Sequence, residues 1–365
     1  MNDQFATAMR RALEHTRAGD PRAATTLLQR ALSGRDTTEA PCCGPCSDAA
    51  AESPQGQGHR VPEDLGRGGG FDFSSLPGLG ARSDAAPGSM PHRARSPRAP
   101  VPDGARVEAR TYRGTAGGRS YRLFVPSDRA RPKGVLVMLH GCTQTPEDFA
   151  LGTRMDQLAE RAGFVVAYPE QTGRHNAQSC WNWFRPEDQG RTHGEAAILA
   201  GLGQALSAEF DCPGRVFAAG LSAGGAMAAI LGESHPEVFA AVGVHSGLPA
   251  GAARDMPSAF AAMRGDVHHG RPAAGPVIVF HGTADRTVAP GNADAIVTGS
   301  GIEQSESGNG RSWTRLVTQD GSELWRVAGA GHAWFGGDPA GSYADPTGPD
   351  ASAEMLRFFM ERGRA

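Results

Sequence analysis

A serine between two glycines is the residue of this chain best suited to chemistry. Ser222 lies in the run Gly220-Leu-Ser-Ala-Gly224, which follows the apolar residues 216–219 and precedes a stretch of small residues. Between a strand and a helix, a Gly-x-Ser-x-Gly sequence is typical of a sharp turn that exposes the serine hydroxyl above a parallel sheet. Glycines suit so tight a turn because a Cβ would clash with the neighbouring strand and helix. The run predicts a nucleophilic serine; the alternative is a glycine-rich helix start that happens to contain one.

A catalytic serine needs a histidine to accept its proton and a carboxylate to orient that histidine. Hydrolases built on parallel sheets supply these groups in the chain order serine, acid, histidine. Asp285 follows the strand-like residues 276–280, and His332 lies in a glycine-flanked loop after the strand-like residues 323–327. Because open α/β sheets carry their reactive groups beyond the carboxyl ends of strands, we predict that Ser222, Asp285 and His332 form a catalytic triad.

The other histidines that follow predicted strands are interpreted as structural. His140, His245 and His281 occupy such positions, where an imidazole more often hydrogen-bonds the backbone than takes part in a reaction. The side chains show no metal-ligand spacing, so neither a metal nor an organic cofactor is expected.

Acyl transfer also requires hydrogen-bond donors that face the developing oxyanion. One predicted donor is the backbone N–H of Ala223, the residue after the nucleophile, at the start of a helix. The second is the amide of Cys142, in the loop that follows the apolar residues 134–139, since Gly141 lets the chain turn close to the substrate. The alternative for Cys142 is a second nucleophile.

Four short motifs occur in one order along the chain: His-Gly-Cys-Thr-Gln at 140–144, Ser-Cys-Trp-Asn-Trp-Phe at 179–184, Gly-Leu-Ser-Ala-Gly-Gly at 220–225 and Gly-His-Ala-Trp at 331–334. Together they resemble the polyhydroxybutyrate depolymerase family of esterases over about residues 110–362. The resemblance implies an α/β-hydrolase fold, a triad of Ser222, Asp285 and His332, and an oxyanion hole completed by the Cys142 amide. The family is similar to feruloyl and acetylxylan esterases, so the resemblance indicates the reaction more firmly than the substrate.

We therefore expect a serine esterase, a carboxylic ester hydrolase that works through an acyl-enzyme. The favoured substrate is poly(3-hydroxybutyrate) or another hydroxyalkanoate, as polymer or oligomer; feruloyl, acetylxylan and short-chain esters are the alternatives. Two rival hypotheses keep the fold and change the function. One is a non-catalytic protein that binds a granule or a partner, and the other is a transferase that passes the acyl group to an alcohol or thiol.

Several side chains are predicted to contact the substrate. Aromatic residues make up 7% of the chain, yet Trp181, Trp183 and Phe184 cluster in one segment and Trp334 lies close to the predicted catalytic histidine. Flat apolar rings can line an acyl pocket or hold a polyester. Trp181, Trp183 and Trp334 are therefore expected at the substrate, and Asn182 is expected to hydrogen-bond an ester carbonyl. The alternative for Trp183 and Phe184 is packing beneath the loop.

The order of predicted elements supports the same fold class. Apolar segments predict strands at residues 119–125, 135–139, 165–168, 216–219, 240–245, 277–280 and 323–327. Helical patterns occupy residues 154–162, 193–209, 224–234 and 351–362. Apolar strands that alternate with helices indicate an α/β fold with a mostly parallel, doubly wound sheet and helices on both faces.

Three regions are predicted along the chain. Residues 1–33 are expected to form a helix-turn-helix, and residues 34–104, rich in Gly, Pro and Arg, a disordered linker. Residues 105–365 form the catalytic domain, which is long enough to bury a full sheet. The helix pair could dock on that domain, self-associate or lie on a hydrophobic polymer granule.

Charge and hydropathy exclude some functions. A formal net charge of -3 gives no ground for binding nucleic acid, and no apolar run approaches the roughly 20 residues that span a bilayer. Residues 1–33 lack the apolar segment of a secretory signal, so a cytoplasmic location is predicted, with export as the alternative because many relatives are secreted.

The cysteines fall into two groups, Cys42, Cys43 and Cys46 near the amino terminus and Cys142, Cys180 and Cys212 further on. The first group lacks the fourth ligand of a zinc site and is interpreted as exposed thiols. A bridge between Cys142 and Cys180 is conceivable in an oxidising compartment, but sequence cannot show that the two lie close together.

Overall fold

Residues 98–128, 132–266 and 269–363 are described by the computed structural model. The predicted helix-turn-helix and most of the predicted linker lie outside the described residues. The strands, numbered in chain order, are β1 Arg106–Gly114, β2 Gly117–Val125, β3 Gly134–Leu139, β4 Phe164–Pro169, β5 Val216–Leu221, β6 Phe239–His245, β7 Val277–Gly282, β8 Gly301–Gly308, β9 Arg311–Thr318, β10 Glu323–Val327, β11 Trp334–Phe335 and β12 Ala344–Asp345.

Short helices connect these strands. They are α1 Pro146–Thr153, α2 Met155–Ala162, α3 Gly194–Glu209, α4 Ala223–Ser234, α5 Met256–Met263, α6 Gly291–Ile296 and α7 Ala351–Arg362. Within the part of the chain that the structure describes, no helix has both the length and the apolar character needed to cross a membrane.

A central sheet carries the fold. Ten of the described strands join in the order β1-β2-β4-β3-β5-β6-β7-β10-β9-β8. The strands from β4 to β10 in this order run parallel, and antiparallel pairs extend both edges. The predicted mostly parallel sheet is confirmed. Because the carboxyl ends of parallel strands meet at one edge, the loops after β3, β5, β7 and β10 converge there.

Helices cover both faces of the sheet, as predicted. On one face Leu199 of α3 and Leu231 of α4 belong to the core, and on the other face Met355 and Phe359 of α7 do. Phe359 stacks on Phe217 of β5 with 4.9 Å between the ring centroids. Each parallel strand is therefore buried on both sides, which explains the continuous apolar runs that made these strands recognisable.

Polar elements at the sheet edge were not predicted. Every residue of β8 is exposed, so the β8–β9 hairpin lacks the apolar pattern by which a strand is recognised. The hairpin extends the sheet beyond β10 through main-chain pairing.

Candidate active site

Ser222 occupies a strained turn between β5 and α4. Its backbone has φ 57° and ψ -119°, a conformation that a side chain rarely adopts and that marks functional turns. An added Cβ at Gly224 would clash with the Leu139 carbonyl, and one at Gly220 with the backbone of Gly224. The two glycines therefore let α4 begin directly against β3 and β5, and the serine lies at the tip of the turn.

Asp285 and His332 form a hydrogen-bonded pair at the same edge of the sheet. His332 Nδ1 lies 2.7 Å from Asp285 Oδ2. An ionised carboxylate can only accept, so Nδ1 donates this bond, and the neutral imidazole keeps Nε2 as a proton acceptor. This is the tautomer that a general base for a serine requires.

The surroundings of Asp285 keep its carboxylate ionised. Its Oδ1 accepts hydrogen bonds from the backbone N–H groups of Thr287 and Val288, both at 2.9 Å. Burial works to raise the pKa of Asp285, but hydrogen bonds from His281 and His332 outweigh burial and hold that pKa well below its usual range. A permanently charged acceptor therefore orients His332 across the neutral pH range.

Ser222 lines a cavity whose lining also reaches a neighbour of the histidine. Ser222 and Tyr343 both line it, and the Tyr343 ring packs edge-on against the His332 ring with 6.4 Å between centroids. The predicted triad residues thus follow the carboxyl ends of β5, β7 and β10, with Ser222 on the cavity and His332 against Tyr343, one of the residues that line it.

The loop of residues 140–144, here called the oxyanion loop, contributes Cys142 to the lining of this cavity. The Gly141 N–H donates to Gln144 Oε1 at 2.8 Å, and the Thr143 N–H donates to the Gln178 carbonyl at 2.9 Å. The amides on both sides of Cys142 are thereby occupied, while Cys142 and Ala223 line the cavity beside Ser222. Ala223 is the first residue of α4, whose N–H has no partner within the helix.

The cavity is small and apolar. Its volume is about 110 Å³, and none of the residues that line it carries a charged side chain. Its apolar wall is made by Trp183, Phe184, Leu248, Met256, Met263 and Val288.

The part of this wall that α5 contributes was not predicted from the sequence. A signal was present, because Asp255 and Ser258 form a capping box and Pro257 stands in the first turn, where proline is favoured.

Three of the predicted substrate contacts are buried away from the cavity. Trp181 is 0% exposed and its indole N–H donates to the His140 carbonyl at 3.1 Å. Asn182 is 3% exposed and hydrogen-bonds Glu195, so it is not free to bind an ester. Trp334 is 1% exposed and donates to Ser352 Oγ at 2.9 Å. The prediction of substrate contact was wrong for these residues, whereas Trp183 does line the cavity.

The histidines interpreted as structural bond the backbone. His140 Nε2 accepts from the Gln171 N–H at 3.1 Å, His245 Nε2 accepts from the Phe335 N–H at 3.1 Å, and His281 Nε2 lies 2.9 Å from the Val288 carbonyl. Burial lowers the pKa of His140 to about 4 and that of His245 well below the ordinary value.

Trp334→Ala is expected to cost about 3–5 kcal/mol of unfolding free energy, because it opens a cavity in the core. The Trp334 ring stacks on His245 with 4.9 Å between centroids and contacts Phe149 edge-on. Urea unfolding measures the effect, and Trp183→Ala provides the comparison, since Trp183 lines the cavity and its loss should alter ester preference as well. A Trp334→Ala protein with normal stability but changed ester preference would show that Trp334 contacts the substrate after all.

Cys142 and Cys180 form a disulfide with a sequence separation of 38 residues. A closed loop of this size stabilises the folded state by roughly 4 kcal/mol through the entropy of the unfolded chain. Reduction by a phosphine is therefore expected to lower the midpoint of urea unfolding. The Cys180→Ser variant should unfold at the lower midpoint with or without the reductant. Equal midpoints for oxidised and reduced wild-type protein would contradict a structural role for the bond.

Comparisons with known proteins agree with this geometry. The family model described as esterase PHB depolymerase matches residues 119–315. Poly(3-hydroxyalkanoate) depolymerase C of Paucimonas lemoignei is 34% identical over 47% of this chain and 45% of its own length. Feruloyl esterase B of Neurospora crassa is 30% identical over 65% of this chain and 86% of its own length. The chain spans about half the length of most of the curated relatives it matches.

A solved structure shows the same fold. The acetyl xylan esterase from Aspergillus awamori superposes with a TM-score of 0.57 at 19% identity and covers 69% of this chain and 99% of its own. The predicted α/β-hydrolase fold is confirmed.

Proposed function

This chain belongs to the esterase PHB depolymerase family, and from that premise we propose that it is a serine esterase that hydrolyses carboxylic esters through an acyl-enzyme. The observation that carries the proposal is the Asp285–His332 hydrogen bond of 2.7 Å beside the cavity that Ser222 lines from its strained turn. The pair supplies an oriented base, and the turn supplies an accessible nucleophile.

In the proposed reaction Ser222 Oγ attacks the ester carbonyl carbon while its proton passes to His332 Nε2. The carbonyl oxygen becomes an oxyanion that the amides of Cys142 and Ala223 stabilise, and Asp285 stabilises the imidazolium. Collapse of the intermediate breaks the bond to the alcohol, which leaves with the proton from His332. Water then gives a proton to His332 and attacks the acyl-enzyme, and the acid departs as Ser222 regains its proton.

The size of the cavity supports a short aliphatic acyl group. Its volume is about 110 Å³, smaller than the apolar cavity of about 150 Å³ that is known to bind benzene. A hydroxybutyryl unit fits this limit better than a feruloyl group, which carries a substituted aromatic ring. We therefore propose a hydroxyalkanoate polymer or oligomer as the substrate, in line with the relative from Paucimonas lemoignei, which is named a poly(3-hydroxyalkanoate) depolymerase.

A second candidate is the hydrolysis of acetyl esters, because an acetyl group also fits so small a cavity. Relatives named acetylxylan esterase are 26–29% identical to this chain, which supports the same candidate.

Two finer proposals concern partner and location. A hydrophobic polymer granule is proposed as a partner, supported by the depolymerase relatives and by the helices predicted at residues 1–33. A cytoplasmic location is the second proposal. The Cys142–Cys180 disulfide supports the alternative of an oxidising compartment, where such bonds persist.

Hydrolysis of four substrates side by side tests the function: amorphous polyhydroxybutyrate granules, 3-hydroxybutyrate oligomers, p-nitrophenyl acetate and methyl ferulate. Release of hydroxybutyrate from granules or oligomers is the expected result. Cleavage of the acetyl ester alone would favour the second candidate, and cleavage of ferulate as the best substrate would overturn the inference from cavity size. The absence of any hydrolysis would refute the esterase itself.

A further inference from the structure

Glu195 is a buried carboxylate that the proposed reaction does not use. It lies in the first turn of α3 and is 2% exposed. Its Oε1 accepts hydrogen bonds from Arg119 Nη2 at 2.9 Å, from Asn182 Nδ2 at 3.0 Å and from Gln171 Nε2. Its Oε2 accepts from the backbone N–H of Asn182 at 2.8 Å. A charge this deep is stable only because its oxygens are so fully hydrogen-bonded.

These bonds converge on residues 171–184, here called the anchoring segment. Gln171 Nε2 also donates to the Cys180 carbonyl at 3.0 Å. Asn182 Oδ1 accepts from Asn176 Nδ2 at 2.9 Å, and Asn176 Oδ1 accepts from the Gln178 N–H at 2.9 Å. Glu195 thus holds both ends of the segment directly and its middle through Asn176.

The anchoring segment in turn holds the oxyanion loop at three points. Cys180 is joined covalently to Cys142, and the Gln178 carbonyl accepts from the Thr143 N–H at 2.9 Å. The Trp181 indole N–H donates to the His140 carbonyl at 3.1 Å. Glu195 is therefore connected to Cys142, the proposed oxyanion donor, through a short chain of contacts: Glu195 bonds Gln171, Gln171 bonds the Cys180 carbonyl, and Cys180 is bonded to Cys142.

We propose that Glu195 is a positioning residue for the oxyanion hole, which it fixes by tying the anchoring segment to β2 and α3. The inference rests on the proposed function, because it assigns the Cys142 amide to the oxyanion. An oxyanion donor is effective only when it already faces the position that the oxygen will take, and misplacement by about 1 Å can cost roughly 100-fold in rate. The contribution of Glu195 should therefore be to kcat.

Glu195→Gln tests the proposal, and a second buried ion pair on the same strand supplies the matched control. Asp156 is 0% exposed and pairs with Arg122 of β2 at 2.5 Å and with the Tyr168 hydroxyl at 2.7 Å. None of these three residues belongs to the oxyanion loop or to the anchoring segment. Asp156→Asn should therefore lose stability comparably but leave the oxyanion hole in place.

The readouts are kcat and KM for a p-nitrophenyl ester, measured well below the unfolding midpoint of each variant. Glu195→Gln is expected to lower kcat about 10- to 100-fold with little change in KM, and to weaken inhibition by a boronic acid in parallel, whereas Asp156→Asn should keep kcat within about twofold. If Glu195→Gln does not fold, Asn182→Ala replaces it as the test. This variant removes the hydrogen bonds of Asn182 to Glu195 and Asn176 but leaves Glu195 paired with Arg119. It is expected to lower kcat about tenfold.

Equal kcat for Glu195→Gln and Asp156→Asn, or unchanged kcat for Asn182→Ala, would reduce Glu195 to a purely structural residue. The failure of the proposed function is distinguishable from this outcome, because in that case the wild-type protein itself would cleave no ester.

Discussion

Ser222→Ala is expected to lower kcat for every ester that the wild-type protein cleaves by about 10⁶-fold, as loss of the nucleophile does in serine hydrolases. The reason is that no other group replaces the hydroxyl as the site of the acyl-enzyme. The fold should not change, because alanine keeps the Cβ that the turn accommodates at φ 57°, and the backbone N–H of residue 222 still donates to the His245 carbonyl.

Ser246→Ala is the matched control for this substitution. Ser246 also follows a parallel strand of the same sheet and also has a positive φ, of 48°, but it is fully buried. Its variant should keep kcat within a few fold. A Ser222→Ala protein with near wild-type turnover would contradict the nucleophile, and an equal loss in both variants would point to a damaged fold.

Asp285→Asn is expected to lower kcat by roughly 10⁴-fold at neutral pH, with the geometry of the site preserved. An amide group in place of the carboxylate can accept from His332 with its oxygen but also presents an N–H donor. The imidazole can then turn to the tautomer that carries its proton on Nε2 and cannot accept from Ser222. The measurement is kcat against pH for a short p-nitrophenyl ester.

Two controls sharpen this second result. Asp294→Asn removes an exposed carboxylate that pairs with Arg326 and should leave kcat unchanged. The double variant Ser222→Ala/Asp285→Asn should be no slower than Ser222→Ala alone, because residues that act as a unit have non-additive effects. Full activity of Asp285→Asn, or additive losses in the double variant, would remove Asp285 from the triad.

Sequence reasoning located the candidate triad because each residue follows a strand that is buried on both faces. Such strands are continuous apolar runs, as in residues 277–280 before Asp285, and their carboxyl ends share one edge of the sheet. Chain order and strand ends were therefore enough to predict three residues at the same sheet edge, of which Asp285 and His332 are hydrogen-bonded and Ser222 lines the cavity.

The same reasoning failed for the tryptophans because sequence does not show which way a large side chain points. Trp334 follows the candidate catalytic histidine closely, yet its ring lies in the core and its N–H meets Ser352, a partner 18 residues further along the chain. Trp181 likewise bonds the His140 carbonyl across 41 residues. Contacts of this kind depend on the tertiary structure and leave no local pattern.

The cavity wall formed by α5 could not be predicted from the sequence either. Met256 and Met263 of α5 line the cavity, but the helix is only eight residues long and follows β6 through an irregular loop. Its capping box is a signal for a helix start that was not used, and nothing in the sequence indicated that the helix would contribute to the cavity that Ser222 lines. The position of Glu195 was equally hidden, because its partners, Arg119 of β2 and Gln171 and Asn182 of the anchoring segment, are distant from it in sequence.

The nucleophile is tested most directly by labelling the intact protein with a fluorophosphonate and identifying the modified peptide by mass spectrometry. We expect one phosphonyl group per chain, on Ser222, with no label in Ser222→Ala and labelling slowed by several orders of magnitude in His332→Ala. Label on another residue, or the absence of label in a folded wild-type protein, would contradict the proposed serine esterase.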